Sequence, residues 1–381
     1  MKVLSVEDYN DFECVGDRCP ITCCGGAWTI LVDEESAKRY RSVEGEFGDK
    51  LRAALIEREE KTFFQLDGKG DCVFLDERRL CDIYKNLGPD SLCYVCKTYP
   101  RQLYKVGDIL FCYLTNSCPE VTKRILQRNE PLQVILNDSD LTSVEEEFDW
   151  QAFNYAIRAY TTGMDLLQNR QLKVKERVAL LMTFLSQFQE MMNQRMDPSG
   201  LLTVFSSPEV YCALLSDLPI RERDYKSKIK AFMLVFRSLL SVSYDHPMWR
   251  KCKDLGECLA EGKELDLDGL KNAFAKMDDE EMQIEAEQLL TYRFFAVFMQ
   301  GFRDSDYFEK MAYECVLYAA LQSYIAMTEV VQSHACTQEE RVLFYSLCSR
   351  TDHSQDRKHD LINKIRSESM NSLESIFSLI S

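Results

Sequence analysis

Histidine is scarce in this chain and lies in the wrong half for a mixed-ligand metal site. All four, His246, His334, His353 and His359, fall far downstream of the N-terminal cysteines, so neither a Cys2His2 zinc finger nor a Rieske-type centre is supported. Long apolar runs are missing too. No uninterrupted stretch approaches the roughly 18 residues of a membrane span, and the richest window, Leu289 to Phe302, is broken by Arg293 and Gln300. The N-terminal MKVLSVEDYNDFEC turns acidic before any apolar segment can form, which argues against a secretory signal. A cytoplasmic protein with no membrane partner is expected. Basic charge is in deficit, with 46 Lys+Arg against 62 Asp+Glu and a net charge of −16. That balance disfavours nucleic acid as a partner. A solvated acidic surface is its ordinary meaning, and a lysine-bearing partner also suits it.

Cysteine, by contrast, is abundant: sixteen residues, ten of them within the first 118. In a reducing compartment these are not expected to be a disulfide framework, and a chain of 381 residues with 46% hydrophobic content needs no covalent staples. The six later ones, Cys212, Cys252, Cys258, Cys315, Cys336 and Cys348, fall in helical patterns and are expected to be small buried hydrophobes. The early ten are arranged differently. Cys14, Cys19, Cys23 and Cys24 form C-x4-C-x3-C-C in a loop punctuated by Pro20, Gly25 and Gly26. Cys72 and Cys81 bracket CVFLDERRLC, Cys93 and Cys96 form CYVC, and Cys112 and Cys118 bracket CYLTNSC. Gly- and Pro-rich loops let several sulfurs converge without a helix or strand dictating their directions, as a metal cage requires. All-thiolate zinc and an iron-sulfur cluster both remain open on spacing. Only Cys93 and Cys96 have the zinc-ribbon knuckle spacing, and ten thiolates exceed the needs of one zinc.

The expected fold is mainly α: a cysteine-rich metal-binding unit of short strands and turns over residues 1–128, a packed connection at 129–143, and a large all-helical region over 144–381. A hairpin is expected in LYKVGDILFCYL with its turn at Gly107 and Asp108. Apolar residues at three- and four-residue intervals predict helices over Glu145 to Leu167, Val174 to Met192, Tyr225 to Ser243 and Leu265 to Phe302. Further helices are predicted over Asp304 to Val331, Gln338 to Leu347 and Asp356 to Ile376. Asp245-His246-Pro247 reads as the start of a new segment. The aromatic residues Phe294, Phe295 and Phe298 fall on several faces of their helix, the pattern of buried packing.

The stretch CVFLDERRLCDIY followed by LCYVCKTYPRQ resembles the cysteine-cluster proteins that chelate zinc or iron. Cys14, Cys19, Cys23, Cys24, Cys72, Cys81 and Cys96 stand at the matching positions, with Phe74-Leu75-Asp76, Ile83-Tyr84 and Tyr99-Pro100 alongside. The additional Cys93, the CYLTNSCPEV around Cys112 and Cys118, and the long helical C-terminus resemble the flagellin lysine N-methylase (FliB) family. This resemblance implies methyl transfer from S-adenosylmethionine to lysines of flagellin, with a 4Fe-4S cluster. It also implies that Cys19, Cys23, Cys24, Cys72, Cys81 and Cys96 lead the ligand candidates, followed by Cys14, Cys93, Cys112 and Cys118.

The residues bear on that chemistry in three ways. No Gly-rich strand-to-helix turn is present to cradle the donor: Gly68 and Gly70 in LDGKGDC run straight into Cys72 and are expected to be a turn. The radical-enzyme spacing C-x3-C-x2-C is met at Cys19 and Cys23 but fails at Gly26. A lysine amine, with a reference pKa of about 10.4, must also lose its proton before it can attack a sulfonium methyl. The expectation is that three cysteines hold a 4Fe-4S cluster whose open iron takes the amino and carboxylate groups of S-adenosylmethionine. Tyr99 and Arg101 are the supporting candidates, to orient a carboxylate or accept a proton; their alternative is structural, with Arg101 pairing a local acid such as Asp82. The alternative function is a non-enzymatic zinc- or iron-binding module whose helical body docks a protein partner.

Overall fold

A computed structural model describes residues 1–25, 28–139, 148–219, 224–239, 247–261, 266–353 and 355–381. Gly26, residues 140–143 of the expected connection, the expected helix ends at Glu145, Ser243 and Leu265, and Asp245-His246 lie outside the described residues.

Strand β1 (Lys2–Val6) is followed, after the first cysteine loop, by β2 (Leu31–Val32), α1 (Glu34–Ser42), α2 (Gly45–Ala53), β3 (Leu55–Arg58) and β4 (Lys61–Phe64). These last strands form a small sheet in the order β2-β4-β3. Two short helices, α3 (Asp82–Leu87) and α4 (Tyr94–Thr98), carry the next cysteines. Asp33 fastens both ends of this unit: one carboxylate oxygen accepts from the Ser36 N–H at the start of α1 and the other from the Tyr94 N–H at the start of α4. The expected hairpin is present as β5 (Arg101–Val106) and β6 (Ile109–Leu114), with Val106 opposite Ile109. Gly107 takes a φ of +57° at its turn, a conformation that a residue lacking Cβ adopts without strain. After α5 (Pro119–Leu126) comes β7 (Val134–Asp138), which pairs antiparallel with β1 in a second sheet ordered β5-β6-β1-β7. Part of the expected connection is thus a strand.

The helical region comprises α6 (Trp150–Leu167), α7 (Val174–Asn193), α8 (Ser199–Phe205), α9 (Pro208–Leu215), α10 (Tyr225–Leu239) and α11 (Pro247–Ala260). It continues through α12 (Leu267–Ala275), α13 (Glu280–Val297), α14 (Gly301–Asp304), α15 (Tyr307–Gln332), α16 (Gln338–Ser349), α17 (Gln355–Ser367) and α18 (Leu373–Ile380). No described helix is long and apolar enough to cross a membrane.

Three expectations are corrected. The cysteine-rich third contains five helices, α1 to α5, each nine residues or shorter and so below the window in which helical periodicity can be read. The single helix expected over Leu265 to Phe302 breaks at a 3-10 turn, Lys276–Asp278. Asp278, Asp279, Glu280 and Glu281 are favourable at a new helix N-terminus and unfavourable at the end of an old one. The helix expected over Asp356 to Ile376 divides where Ser369 turns left-handed and Ser372 caps α18 through the Ser375 N–H.

Two cores result. Ile30, Val32, Tyr40, Leu51, Phe64, Phe74 and Ile83 pack with Cys72 and Cys93 in one. The other joins the four-stranded sheet and α5 to the helical region, through residues such as Val6, Phe111, Leu114, Ile125, Tyr160 and Phe295. The Tyr292 hydroxyl, fully buried, donates to the Leu114 carbonyl and accepts from its N–H, each at 2.8 Å. Phe294, Phe295 and Phe298 are buried as expected. Between α13, α15 and the turn after α16, the Arg293 guanidinium binds both oxygens of Glu314, at 2.7 and 2.9 Å, and Asp352 at 2.9 Å.

Arg293 and Glu314 are almost wholly buried, so Arg293→Met leaves carboxylates without their charge partner. A loss of about 3–5 kcal/mol is expected, measured as a lower urea midpoint with an unchanged denaturant slope; a loss under ~1 kcal/mol would show that the ion network does not hold the fold.

Candidate metal centre and adjoining cavity

The first cysteine loop is pinned at both ends of its core. The Cys19 thiol donates to the Ile21 carbonyl at 3.2 Å, and the Cys24 carbonyl accepts from the Cys72 N–H at 2.8 Å, bringing the second cysteine stretch alongside the first. Gly68 and Gly70 form the expected turn, with the Asp67 carboxylate accepting from the Lys69 and Asp71 N–H groups. Cys81, Cys93 and Cys118 stand immediately before the first residues of α3, α4 and α5, while Cys96 lies within α4.

Through this folding, nine of the ten thiols act on one another. Cys14, Cys19, Cys23 and Cys118 form one group; Cys24, Cys72, Cys81, Cys93 and Cys96 form the other. The adjacent Cys23 and Cys24 join them. Cys112 stands apart in β6, beside the Tyr9 hydroxyl. Hydrogen bonding divides the thiols by acidity. Cys23 donates to Cys24, and that bond, with help from the Thr22 hydroxyl and the Arg79 charge, lowers Cys24 to about 7 despite burial. Cys96 lowers Cys93 in the same way, whereas burial pushes Cys72 and Cys118 up to about 12.

Among the described residues, no group of three or more Cys, His, Asp or Glu side chains stands in position to hold a metal ion. The donors nevertheless fit a thiolate-bound group in kind: they are all sulfur, gathered on loops and helix starts, and acid enough at Cys24 and Cys93 to bind as thiolates.

A cavity of about 460 Å³ opens beside the first thiol group. Val15, Arg18 and Pro20, neighbours of Cys14 and Cys19, form one wall; Pro119, Glu120 and Lys123, following Cys118, form a second; Gln338, Glu339, Val342 and Leu343 of α16 close the third. Arg18 and Lys123, Glu120 and Glu339 all line it, so the walls carry both signs of charge.

The supporting candidates separate. The Tyr99 hydroxyl lies 3.1 Å from Ser117 Oγ, beside Cys118 and Cys23, and burial keeps it protonated. Arg101 does not pair with Asp82. Its guanidinium bonds the Asn10 and Phe12 carbonyls, while Asp82 is held by Lys50 and Lys85. Of the later cysteines, Cys252, Cys315, Cys336 and Cys348 are buried as expected, while Cys212 is exposed and Cys258 half-buried.

His353 is the residue that linear reading missed. It is 236 positions from Ser117, yet its Nε2 lies 2.6 Å from Ser117 Oγ and 3.2 Å from Thr115 Oγ1. Three residues earlier, Arg350 bonds the Ile21 and Thr22 carbonyls at 3.1 and 3.2 Å. No local signal marks either contact, since both join residues far apart in the chain.

These features are those of a helical protein with a thiol-rich face closed by its C-terminal region. The family of the FliB lysine N-methylase C-terminal domain matches residues 161–379, more than half of the chain. The chain belongs to the FliB family. Among its relatives, the lysine-N-methylase of Salmonella choleraesuis is 30% identical over 158 residues, covering 39% of this chain and 38% of that protein. The lysine-N-methylase of Salmonella typhimurium is 30% identical over 144 residues, covering 36% and 35%. The flagellar biosynthetic protein FliU of Salmonella muenchen is 30% identical over 147 residues, covering 36% of this chain and 85% of that protein. The chain thus spans little more than a third of the length of either lysine-N-methylase. No solved structure matches it.

Thiolate, and not thiol, reacts with alkylating agents, and its fraction rises as pH passes through the pKa. In metal-free protein, iodoacetamide is expected to label Cys24 with a midpoint near pH 7, while Cys72 and Cys118 stay unlabelled below about pH 10. Peptide mass spectrometry reads the order; simultaneous labelling of all three would contradict the hydrogen-bond assignment.

Proposed function

We propose that this chain is a cytoplasmic lysine N-methyltransferase that uses S-adenosylmethionine to methylate lysine side chains of flagellin, with a 4Fe-4S cluster held by its N-terminal thiolates. The reading rests on the cavity of about 460 Å³, which lies between the neighbours of Cys14, Cys19 and Cys118 and a helix of the FliB region. Walls of mixed charge suit a zwitterionic donor that also carries a sulfonium. Arg18, Lys123, Glu120 and Glu339 all line the cavity. Three of Cys19, Cys23, Cys24, Cys72, Cys81 and Cys96 would hold the cluster. When bound, an iron with an open position supplies a site for the amino and carboxylate groups of the donor.

The chain's own residues then have two tasks. They must fix donor and acceptor in line, the larger part of catalysis for a transfer of this kind, and exclude water so that the amine meets the methyl group. As the transfer proceeds, the sulfur–methyl bond breaks with its electron pair remaining on sulfur, and the amine lone pair forms the new nitrogen–carbon bond.

Anaerobically purified protein is expected to contain iron and sulfide, to absorb near 400 nm, roughly the range of iron-sulfur charge transfer, and to add methyl-sized mass increments to flagellin lysines when given S-adenosylmethionine. Cys23→Ala should lose both iron and transfer while its far-ultraviolet circular dichroism is unchanged. Colourless protein with stoichiometric zinc and no transfer would establish the non-enzymatic docking module instead; an iron-free variant with full activity would make the cluster dispensable.

A further inference from the structure

The loop that carries Cys19, Cys23 and Cys24 is held from the far end of the chain. Arg350, the residue after α16, directs Nη2 to two successive carbonyls, those of Ile21 and Thr22, at 3.1 and 3.2 Å. The Thr22 carbonyl belongs to the planar peptide unit that carries the Cys23 N–H, so fixing one fixes the other. The Thr22 hydroxyl accepts from the Cys24 N–H at 3.2 Å. The Ile21 carbonyl has a second donor, the Cys19 thiol, at 3.2 Å. Guanidinium and thiol therefore share one acceptor atom. A cysteine binds metal as thiolate, and a thiolate has no proton to give. When Cys19 loses its proton, Arg350 is the donor that keeps this buried carbonyl satisfied, as a buried backbone oxygen requires.

Arg350 is itself braced. It is 3% exposed, and its guanidinium carbon lies 5.3 Å over the Trp28 ring. The next side chain, Thr351, donates to the Cys348 carbonyl at 2.8 Å and meets the Tyr313 hydroxyl at 2.9 Å. Asp352 is bound by Arg293, and His353 Nε2 lies 2.6 Å from Ser117 Oγ, next to Cys118 in the chain. A side chain fixed on both flanks acts as a template for the loop it touches. Its charge matters as much as its reach. Thiolates bound to a metal put negative charge on this loop, and charges in a buried site attract more strongly than in water.

We propose that Arg350 is the positioning residue of the metal centre: it holds the loop from Cys19 to Cys24 in the form that binds metal as thiolate, and sets a fixed positive charge against the anionic thiolate group. Through it the FliB region governs how firmly the N-terminal thiols keep their metal. This rests on the thiolate-metal part of the function proposed above and is independent of methyl transfer. Arg350 ligates nothing and moves no proton.

The test compares the full wild-type chain, loaded anaerobically with iron and sulfide, with Arg350→Met, Arg350→Gln and Arg350→Lys, each matched to it by far-ultraviolet circular dichroism. Release of iron to a ferrous chelator is expected to quicken about tenfold or more in Arg350→Met, the scale on which the outer partners of a metal act. Arg350→Gln keeps two N–H donors without the charge. It is expected to release iron at an intermediate rate and to shift the midpoint reduction potential to more negative values, because an added electron then meets less compensating charge. Arg350→Lys, which keeps the charge, should hold the potential near that of the wild type. An unchanged release rate in Arg350→Met overturns the proposal. So do identical potentials in the Gln and Lys variants, which would make the residue a structural tie alone. Should Arg350→Met fail to fold, the Gln and Lys variants carry the comparison. A wild-type chain that holds neither iron nor zinc overturns the metal reading and this inference together. Metal retention that depends on Arg350, without methylation of flagellin, leaves the inference standing and defeats the enzymatic reading.

Discussion

Arg293 gives one edge of its guanidinium to acids on other elements: Nε and Nη2 donate to Glu314 from α15, and Nη2 also to Asp352 from the turn after α16. Asp352 is the middle of that turn: Arg350 reaches from one side of it to the cysteine-loop carbonyls, and His353 from the other to Ser117 and Thr115. A buried pair of this sort adds less to net stability than its short distances suggest, because both ions are stripped of water. Its effect is geometric. It allows one position for a turn of four residues, and that turn supplies every described contact by which residues 350–353 address the thiol-rich face.

The two cores divide the labour. The larger one fixes the four-stranded sheet against the helices, with Tyr292 bonding both polar groups of the Leu114 backbone, and so sets Thr115, Ser117 and Cys118 immediately downstream. The smaller one surrounds Cys72 and Cys93 and places them through short elements tied by Asp33. Cys23 and Cys24 sit where the two regions meet, which is why neighbouring residues in the chain face different thiol groups. The four-stranded sheet shares its core with the helices.

Much of this was legible in the sequence. The hairpin at Gly107, the turn at Gly68 to Gly70, the long helices α7 and α15 and the buried aromatics of α13 all follow from periodicity and turn chemistry, because each depends on residues close in the chain. The short helices α1 to α5 did not, since a helix of five to nine residues takes its stability from packing and capping that a one-dimensional pattern does not display. The site was half legible. Spacing singled out the cysteines, but the scarcity of nearby histidine held only along the chain: folding returns His353 to the residue before Cys118. The partners of Arg101 were not legible, since they are backbone carbonyls and carry no sequence mark.

The distance between the thiols and the turn that covers them also has a temporal meaning. Cys118 leaves the ribosome 232 residues ahead of Arg350, and at roughly 5–20 residues per second the interval is about 12–46 s. For that time the whole cysteine-rich third exists without the segment that clamps its first loop. The thiols are then at their most accessible, to metal and to oxidant alike, and the closing of the C-terminal turn ends that period of exposure.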